Sequence, residues 1–185
     1  MTRRAVAFSF APAIAVAAAV VAAGVGGPAP ETPAAPQMAQ AAPDTTGAAI
    51  WAHLQAEHYA SSWALWPGKG RLYTGQEPHG MRLTTYVNDV AARALASGAS
   101  EMPDGAIIVK ENLMPDSTLA AITVMYKRDG YNSQHNDWFF SKHLPSGELD
   151  QAPNGMRMAG RVPGCQACHQ GRSNNDYIFT SQLGR

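Results

Sequence analysis

The sequence predicts an α+β domain: an antiparallel β-sheet with flanking N-terminal helices and a C-terminal segment that carries the chemistry. Three observations predict it. Between residues 83 and 145, short runs rich in β-branched and aromatic residues alternate with Gly, Pro, Asp and Asn at hairpin spacing. Upstream, Ile50, Trp51, Leu54 and His58 recur at intervals of three and four, the period of a helix. Downstream, the only two cysteines lie in one short motif near the C-terminus. Helix, then sheet, then motif is an α+β order; a parallel sheet would alternate the two element types.

Taken in order, residues 1–43 read as an export signal and an Ala/Pro-rich linker. Arg3 and Arg4 precede a nearly unbroken apolar run from Ala5 to Val25, and Ala39-Gln40-Ala41 offers a small-x-small cleavage site. The expectation is a periplasmic protein; an uncleaved run of that length is the alternative, a membrane tether. Residues 44–185 form the expected domain. A helix is predicted over 46–62, with Thr45 or Thr46 as cap. Residues 63–80, with Pro67, Gly68, Gly70, Gly75, Pro78 and Gly80, read as loop. Leu83–Val87 is a predicted strand, followed by an alanine-rich helix over Asp89–Ser97 that stops at Gly98. Further strands are predicted at Ala106–Glu111, at Leu119–Tyr126 and from Trp138 onward, with turns at Pro103-Asp104-Gly105, Met114–Ser117, Lys127–Asn132 and Pro145-Ser146-Gly147.

Formal charge is balanced, 14 basic against 14 acidic side chains, without a run of either sign. That removes the electrostatic case for a nucleic-acid partner. In an exported chain two cysteines suggest a disulfide, but Cys165 and Cys168 close too short a loop for a bond between them to stabilise much. Cys165-Gln166-Ala167-Cys168-His169 is instead the attachment signature of a single covalent haem c. The thiols add to the two porphyrin vinyl groups, and the adjacent imidazole of His169 is the expected iron ligand. Half of a zinc site, completed by His135 and His143, is the rival reading, with a redox dithiol beside it.

Only sixteen residues follow His169, and none is methionine, so the usual downstream methionine ligand is excluded. An open sixth position is the expectation. The strands and prolines between 83 and 145 do not suit a four-helix cytochrome. Three blocks together resemble the cytochrome P-460 family, β-sheet haem proteins related to cytochrome c′-beta: Met102–Glu111, Asn136–Phe140, and Cys165–His169 followed by Asp176–Thr180. The resemblance implies that Lys110, at the lysine of the first block, is joined covalently to a meso carbon of the haem. Read from the residues alone, Lys110 is equally a solvated strand lysine. Glu111 points to the opposite face from Lys110 by strand alternation, and Arg82 lies near where a distal arginine of the family is sought.

Other side chains have ordinary readings. Met156 and Met158 pack beside the haem edge in preference to ligating, and Met125 is core. His135 and His143 are expected at surface or turn positions. Trp138, Phe139, Phe140 and Tyr177 are expected to form the apolar wall around the porphyrin. The resemblance then implies oxidation of hydroxylamine or nitric oxide at the iron, with electrons passed to a partner cytochrome. A non-catalytic gas-binding protein like cytochrome c′-beta, and a plain electron carrier with a sixth protein ligand, are the other two readings. A homodimer is compatible with all three.

Overall fold

The computed structural model describes residues 42–184. The export-signal expectation falls on residues outside this range, apart from its last two. Seven strands form one antiparallel sheet: β1 (Ala64–Leu65), β2 (Tyr73–Thr74), β3 (Arg82–Val87), β4 (Ile107–Leu113), β5 (Leu119–Lys127), β6 (Trp138–His143) and β7 (Ala159–Gly160). Their order is β1-β3-β4-β5-β6-β7, with β2 pairing beside β1 along β3. Among the described residues four helices accompany them: α1 (Gly47–Ala56), α2 (Tyr59–Ser62), α3 (Asp89–Ala96) and α4 (Pro163–His169). The α+β expectation and its antiparallel sheet hold.

The single helix expected over 46–62 is two. Thr46 caps α1 by accepting from the Ala49 amide at 3.2 Å. The run then breaks at His58, whose left-handed backbone (φ 48°) restarts the chain as α2. The segment expected as loop, residues 63–80, contains β1 and β2, each only two residues long and therefore too short to show alternation. Elsewhere the strands run one to two residues beyond their expected ends. Helix α3 has Asn88 as its cap, and Gly98 follows it at φ 70°.

Alternation along the central strands sorts side chains onto two faces. One face buries Ile107, Val109, Ile122, Val124, Tyr126 and Phe139 against Ile50 and Leu54 of α1 and Tyr59 of α2. Glu111 belongs to this face, accepting hydrogen bonds from the Tyr59 and Tyr86 hydroxyls at 3.2 and 3.3 Å. The other face carries two cross-strand rows. Val87, Ile108, Met125, Phe140 and Gly160 form one; Thr85, Lys110, Thr123 and Lys142 form the next. Helices α3 and α4 and the C-terminal tail share the core on this side, through Ala91, Ala94, Val162, Tyr177, Ile178 and Leu183.

Candidate haem site

Helix α4 starts at Pro163, whose fixed φ suits a first helical position. On a helix, Cys165, Cys168 and His169 stand at i, i+3 and i+4 and so share one side. Both thiols are free. Cys165 is half-buried, and burial pushes its thiol up to about 11. His169 is 8% exposed. Its Nδ1 lies 2.7 Å from the Tyr177 carbonyl oxygen, which can only accept, so Nδ1 carries the proton and Nε2 keeps its lone pair. Burial lowers the imidazole's proton affinity, and the carbonyl bond partly restores it. An anchored Nδ1–H of this kind fixes tautomer and ring orientation in metal-ligating histidines.

The carbonyl that anchors His169 is placed by an unusual piece of backbone. After α4 the chain runs as a 3₁₀ turn over Gln170–Asn175 and then takes two consecutive left-handed residues, Asp176 (φ 48°) and Tyr177 (φ 65°). Neither is glycine, so this geometry needs support from its surroundings. Asp176 supplies it. Its carboxylate accepts from Lys127 Nζ at 2.6 Å, the Met102 amide at 2.7 Å, and Asn136 Nδ2 and Trp138 Nε1 at 3.2 Å each. Asn175 pins the following tail, donating to the carbonyls of Ile178 and Ser181 and accepting from the Leu183 amide.

Two cavities, of about 290 and about 490 Å³, meet at His169. The first lies against the sheet, with Ile108, Met125, Phe140, Met158 and Cys165 in its wall. The second opens toward the β2–β3 connection, past Tyr73, Gln76 and Leu83. His79, Lys110, Cys168 and His169 line both. An apolar cradle with two thiols and an anchored imidazole at its margin fits a thioether-linked haem ligated by His169. A bound haem contributes one-electron chemistry at its iron.

Lys110 is not the solvated lysine that the residues alone allowed. It is half-buried in this cradle, and desolvation lowers its ammonium to about 8. Glu111 faces away from the cradle, as alternation requires. Arg82 is exposed and donates through Nε to the Pro115 carbonyl at 3.1 Å, so it does not join the cradle. Met158 lines it while Met156 is exposed; Met125 lines it as well as packing in the core.

Two expectations are corrected. His143 is fully buried, not at the surface: its ring stacks on Trp51 at 5.1 Å and contacts Ser141 Oγ and the Gly147 carbonyl at 3.1 Å. Burial lowers its pKa. Of the four aromatics expected as the wall, only Phe140 lines the cavities, joined by Phe179. Phe139 points to the other face because successive strand residues alternate, and Trp138 and Tyr177 pack in the core behind the cradle. His135 does occupy a turn, beside the Tyr177 ring. Among the described residues no group of three or more His, Cys, Asp or Glu converges, so His135 and His143 do not complete a zinc site with the cysteines.

The residue that sequence reasoning missed is His79. It lies in the tight connection between β2 and β3, closed by the Gly75 amide on the Met81 carbonyl and the His79 amide on the Gln76 carbonyl. A Cβ at Gly75 would lie 2.2 Å from the Gly80 carbonyl oxygen, so only glycine fits there. Burial lowers the His79 imidazole to about 4, with the nearby Lys110 charge acting the same way. A lone histidine among glycines and prolines has no sequence period to betray it; only the paired strands bring it over His169.

Scaffold and site together define a class: a haem-binding cytochrome built on an antiparallel sheet. The family model for cytochrome P460 matches residues 64–180, and the chain belongs to that family. Membership makes it a c-type haem cytochrome. No curated protein matches it in sequence.

Proposed function

We propose that this protein is an exported mono-haem cytochrome that redox-processes a small nitrogen ligand, hydroxylamine or nitric oxide, and passes electrons to a partner cytochrome in the periplasm. In this reading one haem is held covalently by Cys165 and Cys168, with His169 on the iron. The single observation that carries it is the burial of Lys110 in the same cradle as the haem motif. A lysine side chain is seldom taken out of water without a role. In the family's chemistry that role is a bond from Nζ to a haem meso carbon. Making that bond removes one N–H and one meso C–H, two electrons and two protons in all, so a peroxide-class oxidant, itself reduced to water, must accept them.

The residues of the chain divide the work. His169 is held as an Nε2 donor by the Tyr177 carbonyl. Ile108, Met125, Phe140 and Phe179 keep water from the porphyrin, which raises the weight of every charge near it. Lys110 and His79 are among the polar groups on the cradle wall, with Thr123, Ser141 and Lys142.

The test is the intact mass and visible spectrum of the exported holoprotein, followed by hydroxylamine turnover with an artificial electron acceptor. A haem that stays on the Lys110 peptide after both thioethers are cleaved, together with turnover that Lys110→Met removes, is the expected result. Haem attached only through the cysteines, with no turnover, would refute the enzymatic reading. A gas-binding protein remains in that case if nitric oxide still binds the ferrous form.

A further inference from the structure

We infer that His79 is the second axial ligand of the haem iron, so that the resting protein is six-coordinate with two histidines and a small ligand must displace His79 to bind. The inference rests on the haem site proposed above.

The two imidazoles are neighbours where the cavities meet. Their ring centroids are 6.0 Å apart and their planes 87° apart. An imidazole nitrogen binds a transition metal at about 2 Å, and two such bonds with half of each ring place the centroids about 6 Å apart. The observed separation therefore leaves room for one iron between the rings. Both cavities border on both histidines, so open space adjoins the pair in both of them.

The tautomer of His79 is fixed as firmly as that of His169. Its Nδ1 lies 3.0 Å from Asn112 Oδ1. The orientation of that amide follows from its other contacts: Asn112 Nδ2 donates to the carbonyls of Lys110 at 2.9 Å and Ala121 at 3.2 Å, which cannot themselves donate. Oδ1 must then be the atom facing His79, and it accepts the Nδ1 proton. Nε2 is left with its lone pair, and it makes no hydrogen bond among the described residues. Asn112 does for His79 what the Tyr177 carbonyl does for His169. Buried and 5% exposed, Asn112 sits on β4 two residues from Lys110, on the same face. A buried histidine and a half-buried one, each anchored at Nδ1 by an acceptor and each with Nε2 free among the described residues, are a pair of metal donors with their supporting shell in place.

The pair also sets how available the iron is. If His79 holds it in ten molecules for every one in which it is released, a small ligand's apparent affinity falls about tenfold below its affinity for the open form.

The experiment uses the exported holoprotein, its ferric electron paramagnetic resonance and its visible spectra, with nitric oxide and free imidazole as probes. The expected result is a low-spin wild type, a high-spin His79→Ala, and return of the low-spin form when imidazole is added to the variant. His79→Met retains a ligand and should raise the reduction potential, because a methionine–histidine pair favours the ferrous state. Nitric oxide should bind His79→Ala at least about tenfold more tightly than wild type. A high-spin wild type overturns the inference without any variant needing to fold. A low-spin wild type that His79→Ala leaves unchanged overturns it as well, since another side chain is then the ligand. The outcomes separate this inference from the proposed function. High-spin wild type that oxidises hydroxylamine ends the first and supports the second. A low-spin wild type opened by His79→Ala, with nitric oxide bound more tightly by the variant but neither form acting on hydroxylamine, does the reverse.

Discussion

Replacing Asp176 by alanine should cost at least about 4 kcal/mol of stability and loosen the anchoring of His169 at the same time. The carboxylate is fully buried and pairs with Lys127, whose side chain is only 9% exposed, at 2.6 Å. Removing one partner of a buried pair leaves the other charge uncompensated, which costs about 3–5 kcal/mol. The Met102 amide, 2.7 Å from Oδ2, also loses its acceptor, and an orphaned buried donor adds about 1–3 kcal/mol. The two losses share one carboxylate and do not sum in full. A domain with about 5–15 kcal/mol in total would be left marginal. Urea unfolding followed by far-ultraviolet circular dichroism measures the loss, with Asp176→Asn expected between alanine and wild type because it keeps an acceptor. The same variant should move the haem reduction potential, since Tyr177, whose carbonyl anchors His169, is the next residue. A loss under about 1 kcal/mol with an unchanged potential would refute the argument that this carboxylate supports the proximal loop.

Four further outcomes follow from the geometry. Cys165→Ala and Cys168→Ala should each leave at most one thioether, seen as an altered pyridine haemochrome band. Glu111→Ala should leave the haem spectrum unchanged, because the carboxylate faces α1 and α2; its loss of stability, about 1–3 kcal/mol by urea melt, should come from the two tyrosine hydroxyls it serves. His143 is held neutral by burial, with its folded pKa below the unfolded value. The unfolded chain therefore binds the extra proton first, and stability falls as pH drops below about 6.5, by at most about 1.4 kcal/mol per pH unit. Matched urea melts of wild type and His143→Gln between pH 7.5 and pH 5, values chosen to span about that pKa, should show the variant losing less. Gly147→Ala should destabilise by more than about 1 kcal/mol in the same melts, because the residue sits at φ +92° with a Cβ position 2.3 Å from Trp51 Nε1.

How much of this was legible in the sequence depended on whether a residue's role was local. The strands from Arg82 to His143, helix α3 and its turns follow from periodicity and punctuation, and the Cys165–His169 motif announces its chemistry by spacing alone. Lys110 and Glu111 were assigned opposite faces by alternation, and they occupy them. What escaped depends on distant parts of the chain. His58 takes a left-handed conformation in the middle of a helical pattern, a break that its apolar neighbours conceal. His143 looked like a turn residue beside Pro145, but Trp51, nearly a hundred positions earlier, covers it. The aromatic run Trp138-Phe139-Phe140 could not all face one cavity, because consecutive strand residues cannot. His79 needed two short strands to form before it could stand opposite His169, and two-residue strands leave almost no trace in composition.

The register of a single strand has a consequence for the polarity of the cradle. Lys110 and Glu111 are neighbours on β4, so sliding that strand by one residue would exchange a cation for an anion beside the haem and bring a lysine among tyrosine hydroxyls. Asn88 stands as the stop against such a slide. Its Oδ1 accepts from the Ile107 amide as well as from the Ala91 amide of α3, each at 3.0 Å, and its Nδ2 donates to the Gly105 carbonyl at 2.9 Å. One amide thus ties the start of α3 to the first residue of β4 and sets the phase of everything after it. The sign of the charge lining the cradle is in that sense decided more than twenty residues upstream, by a side chain that never touches the cavity.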